Sequence, residues 1–334
     1  MSAQPFGNIR QRRTVPRAVG AVSESWKLRA WHTLAVALLA VLPHSGYAAA
    51  PADLPAAIYS DPPADPTHPA SGQGVQFRSH GSLLNAQLYQ PPGDGSHPTV
   101  VLLHGLPGNE QNLDLAQVMR RAGWTVITFH FRGSWGSAGR FTLLNCIEDV
   151  EELLSQLRHT DLAHAWGVDP KHIVLIGHSF GGDVAARVAS RDPELLGTVL
   201  LAPWDVSSTR RAWEKIPPDQ QASTATTFFF DANGRLAGAD PQLLREDVMR
   251  SGASLDLTRY AAALTDRTML VVTASHDDPG DQAVGLLTDL RSRHAPHLSS
   301  IQLDTDHAFN DHRIALQAAV LRWLAALDGA PAAL

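Results

Sequence analysis

Two four-residue runs, Val100-Val101-Leu102-Leu103 and Ile173-Val174-Leu175-Ile176, are apolar at every position. Successive side chains of a strand point to opposite faces, so each run must bury both faces at once. That requirement confines the chain to a sheet of mostly parallel strands covered by helices on each side. Segments of the same β-rich character recur at Val75–Ser79, Ala86–Gln90, Thr99–Leu103, Thr125–Phe131, His172–Gly177, Thr198–Ala202, Thr268–Thr273 and Ser299–Leu303. Helical patterns separate most of them. Over 146–158 the residues Ile147, Val150, Leu153, Leu154 and Leu157 fall on one helical face, and over 311–327 Ile314, Ala318, Leu321 and Leu324 do the same. An α/β fold with an eight-stranded, mostly parallel sheet is the expectation, and no internal repeat competes with it.

The alternation breaks once. Residues 206–266 hold no convincing core strand but include Trp213, the Phe228-Phe229-Phe230 cluster and an amphipathic stretch near Leu243–Met249. An excursion of that length reads as a lid insertion, with a solvated surface loop as the alternative.

The N-terminus reads as a targeting segment. Arg10, Arg12, Arg13, Arg17, Lys27 and Arg29 precede the apolar run Leu34–Leu42, and the small residues Ala48-Ala49-Ala50 follow. Positive, then apolar, then small is the order of a secretory signal peptide, here with a long n-region over 1–50 and cleavage near Ala48–Ala50. A bilayer wants about 20 apolar residues, so a stable membrane span is not expected after cleavage; an uncleaved anchor is the competing reading. Arg12-Arg13 lies too far from the apolar run for a twin-arginine signal. Residues 51–74, rich in Pro, Ala, Asp and Gly, read as a linker to a folded domain over 75–330. The expected location is secreted or periplasmic.

Composition removes several classes of function. A net charge of −6 without long runs of one sign is not the basic footprint of a nucleic-acid binder. The single cysteine, Cys146, excludes an intramolecular disulfide and a thiolate metal cluster. The sixteen histidines show no paired spacing such as H-E-x-x-H, so no metal and no cofactor are expected.

The chemistry is carried by Gly177-His178-Ser179-Phe180-Gly181-Gly182, which follows an apolar strand and opens a helical pattern over Asp183–Ala189. A serine on a sharp strand-to-helix turn projects its hydroxyl above the sheet, and flanking glycines allow strand and helix to approach closely. The free amides of the helix start offer the Phe180 N–H to an oxyanion. Upstream, Thr99–Leu103 ends in His104-Gly105-Leu106-Pro107-Gly108, and the Leu106 N–H is placed to be the second donor. An acid and a base are then sought beyond later strands. Asp277 is the first carboxylate after Thr268–Thr273; Asp278 is the alternative register and Asp205 a third candidate. His307 follows Ser299–Leu303, on the loop before the last helix, whereas His312 falls in that helix's first turn. His104 and His178 flank the chemistry, where packing or loop hydrogen bonds are the expected roles, and His130 closes a strand.

With these residues in place, the stretch from Val75 to Leu327 resembles the α/β-hydrolase fold, in the branch shared by esterases, serine aminopeptidases and prolyl-oligopeptidase-like catalytic domains. The landmarks are His104–Gly108, Phe131-Arg132-Gly133-Ser134-Trp135-Gly136, Gly177–Gly182, Ala274–Asp277 and Asp306-His307-Ala308-Phe309. The resemblance implies Ser179 as nucleophile, His307 as base, Asp277 as the acid that orients it, and Arg132 as a brace between loops. It departs from prolyl oligopeptidases proper, which carry a propeller before the hydrolase domain. The expected activity is hydrolysis of a small carboxylic ester through an acyl-enzyme. A serine peptidase acting on short peptides is the alternative, for which Glu214, Asp231, Glu246 and Asp247 could hold a peptide terminus; a non-catalytic binding module on the same scaffold is the third reading.

Overall fold

The computed structural model describes residues 54–277 and 283–331. The segment read as a signal peptide, and Asp278, lie outside the described residues.

Strand β1 (Ser71–Ser79) pairs with β2 (Ser82–Gln90) through the two-residue turn His80-Gly81, where both residues have positive φ, as a tight hairpin requires. The alternating helices and strands that follow are β3 (His97–Leu103), α1 (Leu113–Arg121), β4 (Thr125–Phe129), α2 (Leu143–His159), α3 (Leu162–Ala165), β5 (Val168–His178), α4 (Phe180–Ala189) and β6 (Gly197–Leu201). Helices α5 (Val206–Trp213), α6 (Pro218–Phe228), α7 (Pro241–Ser251) and α8 (Ala261–Leu264) intervene before β7 (Met269–Ala274), α9 (Val284–Ser292), β8 (Leu298–Leu303) and α10 (Arg313–Ala325).

The eight strands form one sheet in the order β1-β2-β4-β3-β5-β6-β7-β8, antiparallel only at β1–β2 and β2–β4. The continuous apolar runs behave as their two-sided burial demands. In β3, Val101 and Leu103 join the core beneath α2 and α4, while Val100 and Leu102 join the opposite core beneath α1 and α10. All four are fully buried. Truncating one such leucine to alanine costs about 2–5 kcal/mol, because the lost transfer energy is compounded by the cavity left behind.

Helix boundaries follow local chemistry. The Thr142 hydroxyl accepts from the Asn145 N–H at the start of α2, and Leu143, Cys146, Ile147, Val150, Leu153, Leu154 and Leu157 form its buried stripe. Asp205 caps α5 by accepting from the Ser207 N–H, and Asp240 caps α7 ahead of Pro241 at its first position. The excursion between β6 and β7 is helical, and its amphipathic stretch near 243–249 lies within α7. The first strand begins at Ser71, four residues earlier than its apolar pattern suggests, so the end of the expected linker is drawn into the sheet edge.

The chain leaves β3 toward β4 on one side and returns to β5 on the other. A crevice opens at such a reversal beyond the carboxyl ends of the strands. The loops after β3, β5, β6, β7 and β8 therefore have a common place to meet.

Candidate active site

Ser179 occupies the turn between β5 and α4 with φ +56° and ψ −122°, outside the regions an L-residue ordinarily adopts. The surroundings over-determine that conformation. The Ser179 N–H donates to the Leu201 carbonyl at 2.9 Å, and its own carbonyl accepts from the Gly182 and Trp204 N–H groups, each at 2.9 Å. A Cβ on Gly177 would lie 2.0 Å from the Gly181 carbonyl oxygen, and one on Gly181 would lie 2.6 Å from that of His104. The glycines flanking the serine are thus fixed by backbone contact.

The His307 side chain meets Asp277 with 2.8 Å between Nδ1 and Oδ1. This approach is at hydrogen-bond distance but off hydrogen-bond alignment. Asp277 is 9% exposed and His307 40%, so the acid is sheltered while the imidazole faces the cavity. Asp205 does not join them: its carboxylate caps α5 and pairs with Arg211 at 3.1 Å. His312 is the residue before α10, its ring 3.0 Å from Asp311.

The loop carrying His307 is anchored from beneath. The buried His178 ring donates through Nε2 to the His307 carbonyl at 2.9 Å and lies 5.0 Å from the His307 ring. Fully buried Phe309, with φ +57°, packs beside it, and Arg313 donates to the Ala308 carbonyl at 3.0 Å. Burial, reinforced by the neighbouring His307, pushes His178 down to about 3, so the donor ring is neutral.

The loop after β3 is set in the same manner. A Cβ on Gly105 would fall 2.7 Å from the Ser179 Cβ, so this loop runs directly against that serine. The His104 Nδ1–H donates to the Gly105 carbonyl at 2.7 Å. In a trans peptide the following N–H points the opposite way, so this bond fixes the direction of the Leu106 N–H. Burial lowers His104 to about 4 and keeps it an uncharged donor.

Leu106, Pro107, Ser179, Asp277 and His307 line one cavity of about 390 Å³. Its apolar wall is aromatic: Trp204, Phe228 and Phe229 line it, and the two phenylalanines stack edge to face at 4.9 Å. Phe180 underlies Trp204 at 5.9 Å, and its backbone starts α4, as the expected donor position requires. Trp204, which the sequence reading passed over, follows the end of β6, a strand terminus being the signal that could have marked it. Arg132 does not bridge two loops: it ties the turn after β4 to helix α2, holding Asp149 at 2.5 Å, Glu148 at 2.6 Å and the Asn145 carbonyl at 2.9 Å.

A family model described as the alpha/beta hydrolase fold matches residues 98–312. The chain belongs to the α/β-hydrolase family. It is 26% identical over 184 residues to the quorum-quenching protein AidA of Acinetobacter baumannii, an alignment covering 53% of this chain and 58% of that protein. It is 27% identical over 110 residues to the lysophosphatidylserine lipase ABHD12 of Danio rerio, covering 32% of this chain and 27% of the relative. The chain thus matches from about a quarter to just over half of these relatives' lengths. The Pyrococcus furiosus esterase Pf2001 superposes with a TM-score of 0.55 at 17% identity, over 78% of this chain and 94% of that one; at that identity the likeness is one of fold.

Proposed function

We propose that this α/β-hydrolase family member is an exported serine hydrolase that cleaves small carboxylic esters. The observation that carries the reading is the convergence of Ser179, the Asp277–His307 pair and the loop of Leu106 on one cavity with an aromatic wall. His307 takes the Ser179 proton as Oγ attacks the ester carbonyl carbon, and the Leu106 and Phe180 amides receive the oxyanion. The imidazolium protonates the departing alkoxide, then the neutral ring activates a water that releases the acid. Asp277 remains ionised and orients the ring throughout.

A serine peptidase acting on short peptides is the second reading, and Asp231 favours it. Of the four acids considered for holding a peptide terminus, Asp231 lines the cavity. Glu214 is tied to Arg210, and Asp247 to the Leu143 N–H and Arg250. A fluorophosphonate probe and paired substrates decide among the readings. Labelling at Ser179 with turnover of p-nitrophenyl esters above aminoacyl anilides supports the esterase; the reverse order supports the peptidase. Folded protein that neither labels nor turns over either class refutes both and leaves a binding module.

A further inference from the structure

The turn after β4 carries Trp135, a side chain that the chemistry above leaves unused. Its φ is +48°, a region large side chains avoid, and the residue is 38% exposed. An aromatic residue both strained and half in water calls for a specific contact. Trp135 has one on each side.

Toward the nucleophile, its indole N–H donates to the Pro107 carbonyl at 2.6 Å. The packing there is close: a Cβ on Gly108 would lie 2.6 Å from His104 Nδ1 and 2.9 Å from the Trp135 indole nitrogen. Toward the excursion between β6 and β7, the Trp135 N–H donates to the Arg235 carbonyl at 3.2 Å, Ser134 bridges Leu236, and the Ala237 N–H donates to the Gly133 carbonyl at 2.6 Å. The Arg235 guanidinium lies over the indole, 5.8 Å from its centroid. The ring does not line the substrate cavity.

We infer that Trp135 is a positioning residue that fastens the oxyanion loop to the helical excursion, so that the Leu106 N–H is held between two anchors. One anchor is the His104 bond to the Gly105 carbonyl; the other is the Trp135 bond to the Pro107 carbonyl. Leu106 lies between them, and freeing either end lets its amide swing away from the position of the oxyanion. The inference rests on the serine-hydrolase reading. Because the oxyanion bond strengthens in the transition state, a misplaced donor lowers kcat and spares KM. Losing an oxyanion donor outright costs about 10²–10³ in kcat; loosening one anchor of two should cost less, about ten-fold.

The test is Trp135→Phe, which keeps an aromatic ring beneath Arg235 but removes the indole N–H. The expected result is a roughly ten-fold fall in kcat on p-nitrophenyl butyrate with KM within about two-fold. Affinity for a trifluoromethyl ketone, whose serine adduct carries the oxyanion, should fall in parallel with kcat/KM. Unchanged kcat, or a loss confined to KM with undiminished ketone affinity, overturns the inference. Arg235→Gln provides a second lever should Trp135→Phe fold poorly. It leaves the indole in place but loosens its seat, and a kcat within experimental error of the parent overturns the coupling. Fluorophosphonate labelling of the unaltered protein separates the two levels. If Ser179 does not label, the hydrolase reading fails; if it labels while both variants match the parent, the Trp135 inference fails alone.

Discussion

Asp183 lies one turn beyond Ser179 on α4 and is fully buried. Neither carboxyl oxygen makes a well-aligned hydrogen bond among the described residues. Burial raises its pKa well above the ordinary carboxylate value, the charge of nearby Asp205 raises it further, and the Val206 amide opposes the shift only in part. The carboxyl is therefore protonated in the folded protein at pH values where the unfolded chain has released the proton. Between the unfolded pKa of 3.8 and the higher folded one, the native state binds more protons than the unfolded state. Stability from this group thus falls as pH rises. The slope is about 1.4 kcal/mol per pH unit wherever the native state holds one proton that the unfolded chain has released. Asp183→Asn keeps the shape and abolishes the titration. In urea unfolding at fixed pH steps from 5 to 8, the variant should gain on the parent steadily as pH rises. Two stability curves that run parallel, within about 0.5 kcal/mol, would refute the reasoning, since Asp183 would then be ionised in the fold. The position matters to the site because Asp205 caps α5, the first helix after the Trp204 wall. A charge on Asp183 would be felt at that cap.

Other outcomes follow from the proposed triad. Ser179→Ala should leave a folded protein with ester turnover reduced by about 10⁴–10⁶, read on p-nitrophenyl esters. His307→Ala should be as damaging, with the double variant scarcely worse because the two act as a unit; His312→Ala should retain most activity. Asp277→Asn should lower turnover by up to about 10⁴ while circular dichroism is unchanged, since an amide can hold the imidazole in the wrong tautomer, and a small loss there would send the search for the acid to Asp278. N-terminal sequencing of exported protein should start near residues 49–51; an intact Met1 or retention in the membrane fraction would support an uncleaved anchor instead.

Much of this arrangement was legible because sequence and physics coincide at those points. The buried strands announce themselves through unbroken apolarity at Val100–Leu103 and Ile173–Ile176, where a two-sided core admits nothing else. The elbow is legible through Gly177 and Gly181, each of which leaves no space for a Cβ. Asp277 follows β7, whose apolar run marks its end, whereas His307 follows β8, a mixed Leu-Ser-Ser-Ile-Gln-Leu strand exposed over most of its length. What escaped detection is carried by the backbone or by distant contacts. Ser71, Gly72, Gln73 and Gly74 join β1 by pairing with Gln90, Tyr89, Leu88 and Gln87, and main-chain pairing leaves little trace in a Ser-Gly-Gln-Gly stretch. The wall formed by Trp204 with Phe228 and Phe229, and the clamp of Trp135 on Pro107, join residues over twenty positions apart. No periodicity within one element encodes such a meeting.

The histidines show how burial selects among residues of identical chemistry. His104, His178 and His307 all stand near Ser179, at or beyond the ends of strands β3, β5 and β8, yet they differ sharply in burial. His104 and His178 are almost wholly buried, and desolvation holds both neutral, at about 4 and about 3. Each spends its one N–H on a backbone carbonyl: that of Gly105, which directs the Leu106 amide, and that of His307 itself. Were His178 cationic, its charge 5.0 Å from the His307 ring would oppose the imidazolium of the proposed acyl transfer. Were it deprived of its N–H, the His307 loop would lose a support. His307 alone of the three is partly exposed, with the Asp277 carboxylate 2.8 Å away. The two buried imidazoles act as neutral struts, and in the proposed mechanism their neutrality would leave the charge to the third.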